Sequence, residues 1–390
     1  MIKRYLEKYI LEDLNEKMVF ISGPRQVGKT TLAKNVAGDA FAGASAYLNW
    51  DYGVDRKQIL KGLWQADTRL FILDEIHKYK KWKTLLKGEY DKHKDKFHVL
   101  VTGSARLDVY RKGGDSLLGR YRSYRLNPFS TAELAGIKSQ EFRIGGSLDF
   151  PSAQPQAFET LLKFGGFPEQ VARQTERSLR RWHQERADRL IKEDIRDVEI
   201  VRDLSALQVL VQLLPDKVGS LFSMNALRED LQVTHKTVSL WVDILEKFYY
   251  HFRIYPWQST AIKSLRKEPK LYLWDWSEVQ DPGARLENIV ASHLLKFCHF
   301  LSDRDGYKAE LYYVRDKEQR EVDFMVCVDH KPWFCVEVKS SFKGVSSSLS
   351  YFGRKLKVPF LFLVVQDQNI DVLKEDIRII SVAKFLGGLV

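Results

Sequence analysis

The sequence predicts an α/β protein assembled from more than one domain. Three observations predict it: a glycine-rich loop between an apolar run and a helix, further short apolar runs spaced by helix-length segments, and a last third whose apolar runs carry isolated charges. The opening part reads as a parallel sheet, because its strands are apolar throughout and parallel strands have both faces covered.

The loop comes first. Gly23-Pro24-Arg25-Gln26-Val27-Gly28-Lys29-Thr30-Thr31 fits G-x-x-x-x-G-K-[ST] and directly follows the apolar run 18–21. Strand, loop and helix in this order make a phosphate cradle. The glycines let backbone N–H groups wrap phosphates, Lys29 reaches the outer phosphate oxygens, and Thr30 offers a hydroxyl to Mg²⁺. The following helix points its positive end at the anion.

A second run, Leu70-Phe71-Ile72-Leu73, ends in Asp74-Glu75. Asp74 is the expected Mg²⁺ holder, and Glu75 can orient and deprotonate a water, which a nucleotide hydrolase needs and a metabolite kinase does not. Alone, the pair would be an ordinary acidic strand end; the cradle upstream gives it a partner. Runs at 46–50, 99–102 and 124–126 complete the sheet. Thr102 and Ser104 would emerge at the carboxyl ends of the strands, where either could sense the γ-phosphate or the attacking water. Arg120, in Leu117-Leu118-Gly119-Arg120, is placed to stabilise phosphoryl charge in a neighbouring subunit, a role that requires a homo-oligomer; a plain surface arginine is the alternative.

Composition bounds the rest. The 390 residues, 44% hydrophobic and 12% aromatic, suffice for two to four domains. With 62 basic against 51 acidic residues the formal charge is +11, which favours a polyanionic partner, nucleic acid first. No run approaches the ~18 apolar residues of a membrane span; the longest, 358–365, reads as a buried strand. Residues 1–7 alternate charged and apolar side chains without a secretory core, so a cytoplasmic protein is expected. Cys298, Cys327 and Cys335 have neither the count nor the spacing of a disulfide frame or zinc site and read as small buried side chains.

Past residue 140 the pattern changes. A Gly/Ser/Pro-rich connector at 144–155 leads into a helical segment to about 214, read as a lid, with Phe164-Gly165-Gly166-Phe167-Pro168-Glu169 as a turn between helices. The charges around 192–197 read as a solvated helix face. Residues 224–231 and 235–248, joined by a tight turn, read as a helix-turn-helix. His235, Lys236 and Thr237 stand at the end that would enter a DNA groove, while Val238, Trp241, Ile244 and Leu245 are core. A strand at 249–255 would supply a wing.

The last third holds a second constellation. Glu321-Val322-Asp323-Phe324 is followed by Val336-Glu337-Val338-Lys339, and alternation along a strand puts Glu337 and Lys339 on one face with Val336 and Val338 turned to the core. Asp323, Glu337 and Lys339 together form the D…E-x-K arrangement of PD-(D/E)XK nucleases, in which Asp323 and Glu337 would hold a second Mg²⁺ and Lys339 would act on the attacking water. Glu287, on a preceding helix, is a further candidate carboxylate. Members of that superfamily keep the scaffold after losing cleavage, so the motif by itself does not decide between cutting and gripping.

The loop, Leu73-Asp74-Glu75-Ile76-His77, Thr102-Gly103-Ser104-Ala105, Gly165-Gly166-Phe167-Pro168-Glu169, and the two tail motifs resemble bacterial and archaeal AAA-type ATPases with a C-terminal domain of uncharacterised function on an endonuclease-like fold. The resemblance spans nearly the whole chain. It implies an AAA-type ATPase core at 1–143 that uses ATP and Mg²⁺, a helical lid at 144–214, a winged helix-turn-helix at 215–258 and a PD-(D/E)XK-like domain at 259–390. The expected function is an ATPase coupled to DNA binding or remodelling. The alternatives are an ATP-gated regulatory switch and an ATP-licensed nuclease.

Overall fold

The computed structural model describes residues 2–103, 117–138, 140–195, 203–258 and 267–390, which group into two compact units, Met1–Asn127 and Pro128–Val390. The first unit ends earlier than the boundary expected at 143, and the lid, helix-turn-helix and tail regions all fall in the second.

The first unit runs α1 (Glu7–Leu14), β1 (Met18–Ser22), α2 (Lys29–Ala40), β2 (Ser45–Asn49), α3 (Gly53–Lys61), β3 (Leu70–Asp74), α4 (Trp82–His93), β4 (His98–Thr102) and β5 (Tyr121–Arg125). The five strands are parallel in the order β2-β3-β4-β1-β5. Every residue of β1 and β3 is buried, as strands covered on both faces require. Phe20, Phe71, Leu73, Trp82, Leu86 and Val101 share one core cluster, each burial contributing about 1.5–3 kcal/mol. The fifth strand lies at Tyr121–Arg125 rather than at 124–126. It is a sheet edge, and the half-exposed Tyr121 and Ser123 with the exposed Arg122 dilute the apolar signal that marks inner strands.

The second unit opens with α5 (Thr131–Leu134), started by a capping box between Ser130 and Glu133. Next come α6 (Pro155–Phe164), α7 (Pro168–Arg173), α8 (Glu176–Arg189) with a π-helical turn at Leu190–Ile195, α9 (Leu204–Leu213), α10 (Met224–Leu231) and α11 (His235–Lys247). The antiparallel pair β6 (His251–Ile254) and β7 (Lys270–Leu273) follows, then the long α12 (Pro282–Asp305). The strands β8 (Ala309–Arg315), β9 (Glu321–Val328), β10 (Lys331–Lys339), β11 (Phe360–Val365), β12 (Asp371–Lys374) and β13 (Ile377–Ser381) form a mixed sheet in the order β12-β13-β11-β10-β9-β8. Helices α13 (Ser347–Leu356) and α14 (Val382–Gly387) complete it.

The connector expected at 144–155 is packed rather than loose. Trp333 Nε1 donates to the Gly146 carbonyl at 2.8 Å, and the Phe150 ring stacks on Phe385 with centroids 5.4 Å apart. Residues 146–150 thus cover the last sheet. The motif at 164–169 serves the same unit. A Cβ on Gly166 would stand 2.7 Å from the Trp276 ring, and one on Gly165 would stand 2.5 Å from Asp275 Oδ1, with φ +74° at Gly165. Only glycine lets this turn reach the Asp275-Trp276-Ser277 segment.

Candidate active site

The parallel order brings three strand ends together. Asp74 is in register with Thr102, and Thr102 with Ile21, so the carboxyl edges of β3, β4 and β1 converge beneath the loop. Loop residues Gly23, Gln26 and Gly28 have φ of 142°, 59° and 99°, a run of left-handed conformations that turns backbone N–H groups inward. A Cβ on Gly23 would lie 2.4 Å from the Leu126 carbonyl, so the first glycine is needed for close approach. Gly28 caps α2, and no side chain satisfies the first turn's N–H groups. These features fit a nucleotide's phosphates. Pro24, Val27 and Thr31 complete the loop, with Val27 buried.

Lys29 is buried, and its ammonium donates to the carbonyls of Gly23 at 3.0 Å and Pro24 at 2.6 Å. Thr30 Oγ1 donates to Asp74 Oδ2 at 2.9 Å, which joins the two residues expected to hold Mg²⁺. A carboxylate and a hydroxyl side by side are oxygen ligands of the type Mg²⁺ takes, and the residues present fit that ion. Thr102 Oγ1 donates to Asp74 Oδ1 at 2.6 Å, so its hydroxyl serves the carboxylate rather than standing free as a phosphate sensor. Ser104 lies outside the described residues.

Glu75 sits in the left-handed region at φ 59°, a conformation that costs a non-glycine residue about 1–3 kcal/mol and that collects at functional positions. Burial raises its carboxyl pKa, while Lys78 and Lys29 pull it down. Lys78 Nζ lies 3.7 Å from Glu75 Oε2 and 2.5 Å from Asp51, and buried His77 places Nε2 3.5 Å from the same glutamate oxygen. A base with a raised pKa and a fixed orientation suits removal of a proton from water near neutral pH.

Arg120 lines no part of this cradle. Its carbonyl accepts from Met18 N, which places it at the amino end of β1, a strand's length from the loop, and its guanidinium grips Asp91 at 2.7 and 2.9 Å. Two residues unmarked by sequence belong to the site. Tyr47 OH donates to Asp74 Oδ2 at 2.7 Å, and burial with that contact raises the phenol pKa. Arg4, buried, donates from Nη1 to the Val27 carbonyl at 2.8 Å and from Nη2 to the Asn127 carbonyl at 2.5 Å. A tyrosine within a strand and a lone arginine near the amino end carry no pattern that would reveal either.

In the second unit the tail residues do meet. Glu287 on α12, Glu321 and Asp323 on β9 surround the buried ammonium of Lys270 on β7, at 3.2, 2.7 and 3.7 Å. Asp323 also accepts from Val338 N at 2.8 Å, and burial with the neighbouring Glu287 raises its pKa to about 7. Glu337 pairs with Lys339 at 3.0 Å and accepts from Ser346 Oγ. Glu337 is buried and Val338 half-buried, a departure from the alternation expected, because the strand is covered on both faces at its middle and exposed at its end. Asp323 and Glu337 lie within electrostatic reach of each other and of Glu287 and Lys339, so the residues expected at a second metal site are brought to one place. Among the described residues no group of three His, Cys, Asp or Glu is arranged to hold a metal, and the carboxylates are compensated by lysines instead. The one sequence signal was a lysine opening the apolar run 270–273.

The helix-turn-helix region folds as two helices joined at Gln232–Thr234, with Thr234 accepting from Thr237 N at 3.2 Å to cap α11. His235 and Lys236 are exposed, Thr237 is half-buried, and Val238, Trp241, Ile244 and Leu245 are core. The three cysteines are buried and form no disulfide among the described residues. No helix among the described residues is long and apolar enough to cross a membrane.

Comparison with known proteins agrees with the first unit. Residues 15–135 match the family described as AAA domain, and they include the whole loop, Asp74, Glu75, Thr102 and Arg120. Residues 155–278 and 282–385 match two domains of unknown function, DUF8612 and DUF4143. The chain is similar to the uncharacterized protein Rv2008c of Mycobacterium tuberculosis, with 23% identity over 353 residues, 85% of this chain and 72% of that one. It is also similar to the uncharacterized protein MJ1637 of Methanocaldococcus jannaschii, with 25% identity over 397 residues, 89% of this chain and 81% of that one. Among solved structures, the Thermotoga maritima RuvB Holliday junction branch migration motor aligns at TM-score 0.33 and 19% identity, covering 68% of this chain and 96% of that one. The Aeropyrum pernix ORC1 protein in complex with DNA aligns at 0.33 and 16%, covering 73% and 91%. Residues 15–135 thus match an AAA domain, and they carry the phosphate loop on a five-stranded parallel sheet.

Proposed function

We propose that the protein is a Mg²⁺-dependent ATPase that couples ATP binding and hydrolysis to the binding or remodelling of DNA. One observation carries the ATPase reading: Thr30 and Asp74, hydrogen-bonded at the carboxyl edge of the sheet, with Glu75 next in the chain and the Lys29 loop in front. Bound Mg²⁺ supplies charge neutralisation to the outer phosphates. Thr30 and Asp74 would hold it, with Tyr47 and Thr102 orienting the Asp74 carboxylate. Lys29 and the loop N–H groups bind phosphate oxygens. Glu75 takes the proton of a water as its oxygen bonds to the γ-phosphorus and the bond to the β-phosphate oxygen breaks. Arg120 is proposed as an arginine supplied to a neighbouring subunit of a homo-oligomer, since its position excludes its own cradle and release from Asp91 would free it.

DNA as partner is supported by the charge of +11 and by the second unit's helix-turn-helix, which we read as a winged module with β6 and β7 as the wing and His235 and Lys236 presented outward. The tail sheet is read as a PD-(D/E)XK-like scaffold that grips without cutting, because Lys270 occupies the middle of its carboxylates. The setting proposed is cytoplasmic.

Steady-state ATP turnover with and without duplex, single-stranded and branched DNA tests the coupling. We expect several-fold stimulation by one DNA form. Glu75→Gln should lower turnover about 10²-fold or more, as loss of a general base does. Turnover that ignores every DNA form would leave an ATP-gated regulatory switch as the reading.

A further inference from the structure

We propose that Asp51 and Lys78 form a latch on the candidate base, in which Asp51 holds the Lys78 ammonium away from Glu75; this deepens the ATPase reading above and rests on it. Lys78 Nζ donates to Asp51 Oδ2 at 2.5 Å and stands 3.7 Å from Glu75 Oε2. One ammonium thus lies between two carboxylates, within hydrogen-bond reach of only the first.

The backbone keeps the lysine beside the glutamate. Lys78 N donates to the Glu75 carbonyl at 3.1 Å in the turn Ile76–Lys78, and residues three apart in such a turn stand one above the other. The Lys78 side chain is 29% exposed and that of Glu75 22%, so their attraction is only partly screened. Released from Asp51, the ammonium has to move only about 1 Å to hydrogen-bond Glu75. There it would take a lone pair that the hydrogen of an attacking water needs, and the base would be spent on a lysine.

Asp51 is held in place to prevent this. Its N–H donates to Asn49 Oδ1 at 2.9 Å, and the preceding Trp50 donates from its backbone N to the Asp74 carbonyl at 3.0 Å. The Trp50 ring stacks on Tyr79, the residue after Lys78, with centroids 5.0 Å apart. The turn that carries the aspartate is therefore fastened both to the end of β3 and to the segment that carries the lysine. An exposed ion pair adds little to stability, so the position of this one matters more than its strength. Lys29, Asp74 and His77 also face Glu75, His77 Nε2 at 3.5 Å from the same oxygen, and they stay in place when Asp51 or Lys78 is replaced. Asp51 also acts on Glu75 directly through space, an effect that a double variant separates from the latch.

Steady-state ATP turnover of the parent, D51N, K78Q and D51N/K78Q tests the latch. D51N should lower kcat about ten-fold, part of what a general base supplies, with KM for ATP within about two-fold of the parent. K78Q should cost only about three-fold, through looser orientation of Glu75, and D51N/K78Q should turn over at the K78Q rate, faster than D51N alone. D51E, which keeps a carboxylate in reach of Lys78, should recover most of the parent rate. Affinity for a fluorescent nucleotide should match the parent in every variant; a D51N variant that loses it would overturn the latch, since Asp51 would then support the cradle itself. D51N as fast as the parent, or a double variant as slow as D51N, would also overturn the latch and leave the ATPase reading standing. A parent with no turnover that Glu75→Gln lowers would overturn both.

Discussion

Arg4 shows how much of a phosphate loop can depend on one distant side chain. It joins the Val27 carbonyl, inside the loop, to the Asn127 carbonyl beyond β5, and each such hydrogen bond to a charged group is worth about 1.5–3 kcal/mol. Arg4→Ala should leave the left-handed turns at Gln26 and Gly28 less constrained. The expected result is an ATP affinity weakened about ten-fold in a fluorescent-nucleotide titration, with Arg4→Lys intermediate; an unchanged affinity would reduce Arg4 to a packing residue. Glu75 works by the same logic of orientation. Lys78 and His77 approach its carboxylate from the turn that follows it, so a strained backbone and a fixed side chain come from one short segment.

At the scale of elements, β7, β9 and α12 assemble a charge cluster that none of them holds alone. Lys270, Glu287, Glu321 and Asp323 are each costly to bury unpaired; Glu321 also pairs with Arg315 at 2.7 Å, but removing the buried Lys270 takes away the cation shared by all three carboxylates, at about 3–5 kcal/mol. Lys270→Ala should therefore lower the melting temperature. Added Mn²⁺ should raise the melting temperature of that variant and not of the parent, because only the variant has vacated the position an ion would take. A parent stabilised by Mn²⁺ would show that a cation and Lys270 share the cluster.

At the scale of the whole molecule, stability should respond to pH through buried neutral histidines of the second unit. His293 on α12 donates Nδ1–H to the Ile289 carbonyl at 2.8 Å and accepts on Nε2 from Thr131 N at 3.0 Å, so neither nitrogen has room for another proton, and its pKa falls to about 3. His251 on β6, buried and donating to the Val242 carbonyl, falls to about 4. In the unfolded chain both bind protons below about 6.5, so the unfolded state holds more protons than the native one between that value and the folded pKa values. Stability is full above pH 6.5 and is lost as pH falls through this window, by about 2 kcal/mol per histidine between pH 7 and 5. Denaturant melts at those two pH values check it; equal midpoints, or no flattening in a His293→Gln variant, would count against it.

Residues 23–31 and 74–75 declare the cradle because phosphate chemistry demands those residue types at a fixed local spacing, and the buried strands around them declare a parallel sheet because burial on both faces leaves an unbroken apolar run. The helix-turn-helix core at Val238, Trp241, Ile244 and Leu245 was legible for the same reason, a period set by local geometry. Arg4, Tyr47 and Lys270 were not. Their partners lie 23, 27 and 17 or more residues away, and such contacts exist only once strands and helices have packed. The packing of 146–150 onto the last sheet escaped notice likewise, since a Gly/Ser/Pro-rich stretch reads the same whether loose or docked. The sequence by itself determined the phosphate-binding chemistry, written in neighbouring residues. Tertiary structure alone decided which carboxylates are compensated and by what, because the free energy of a buried charge depends on the distance to its counter-charge across the fold.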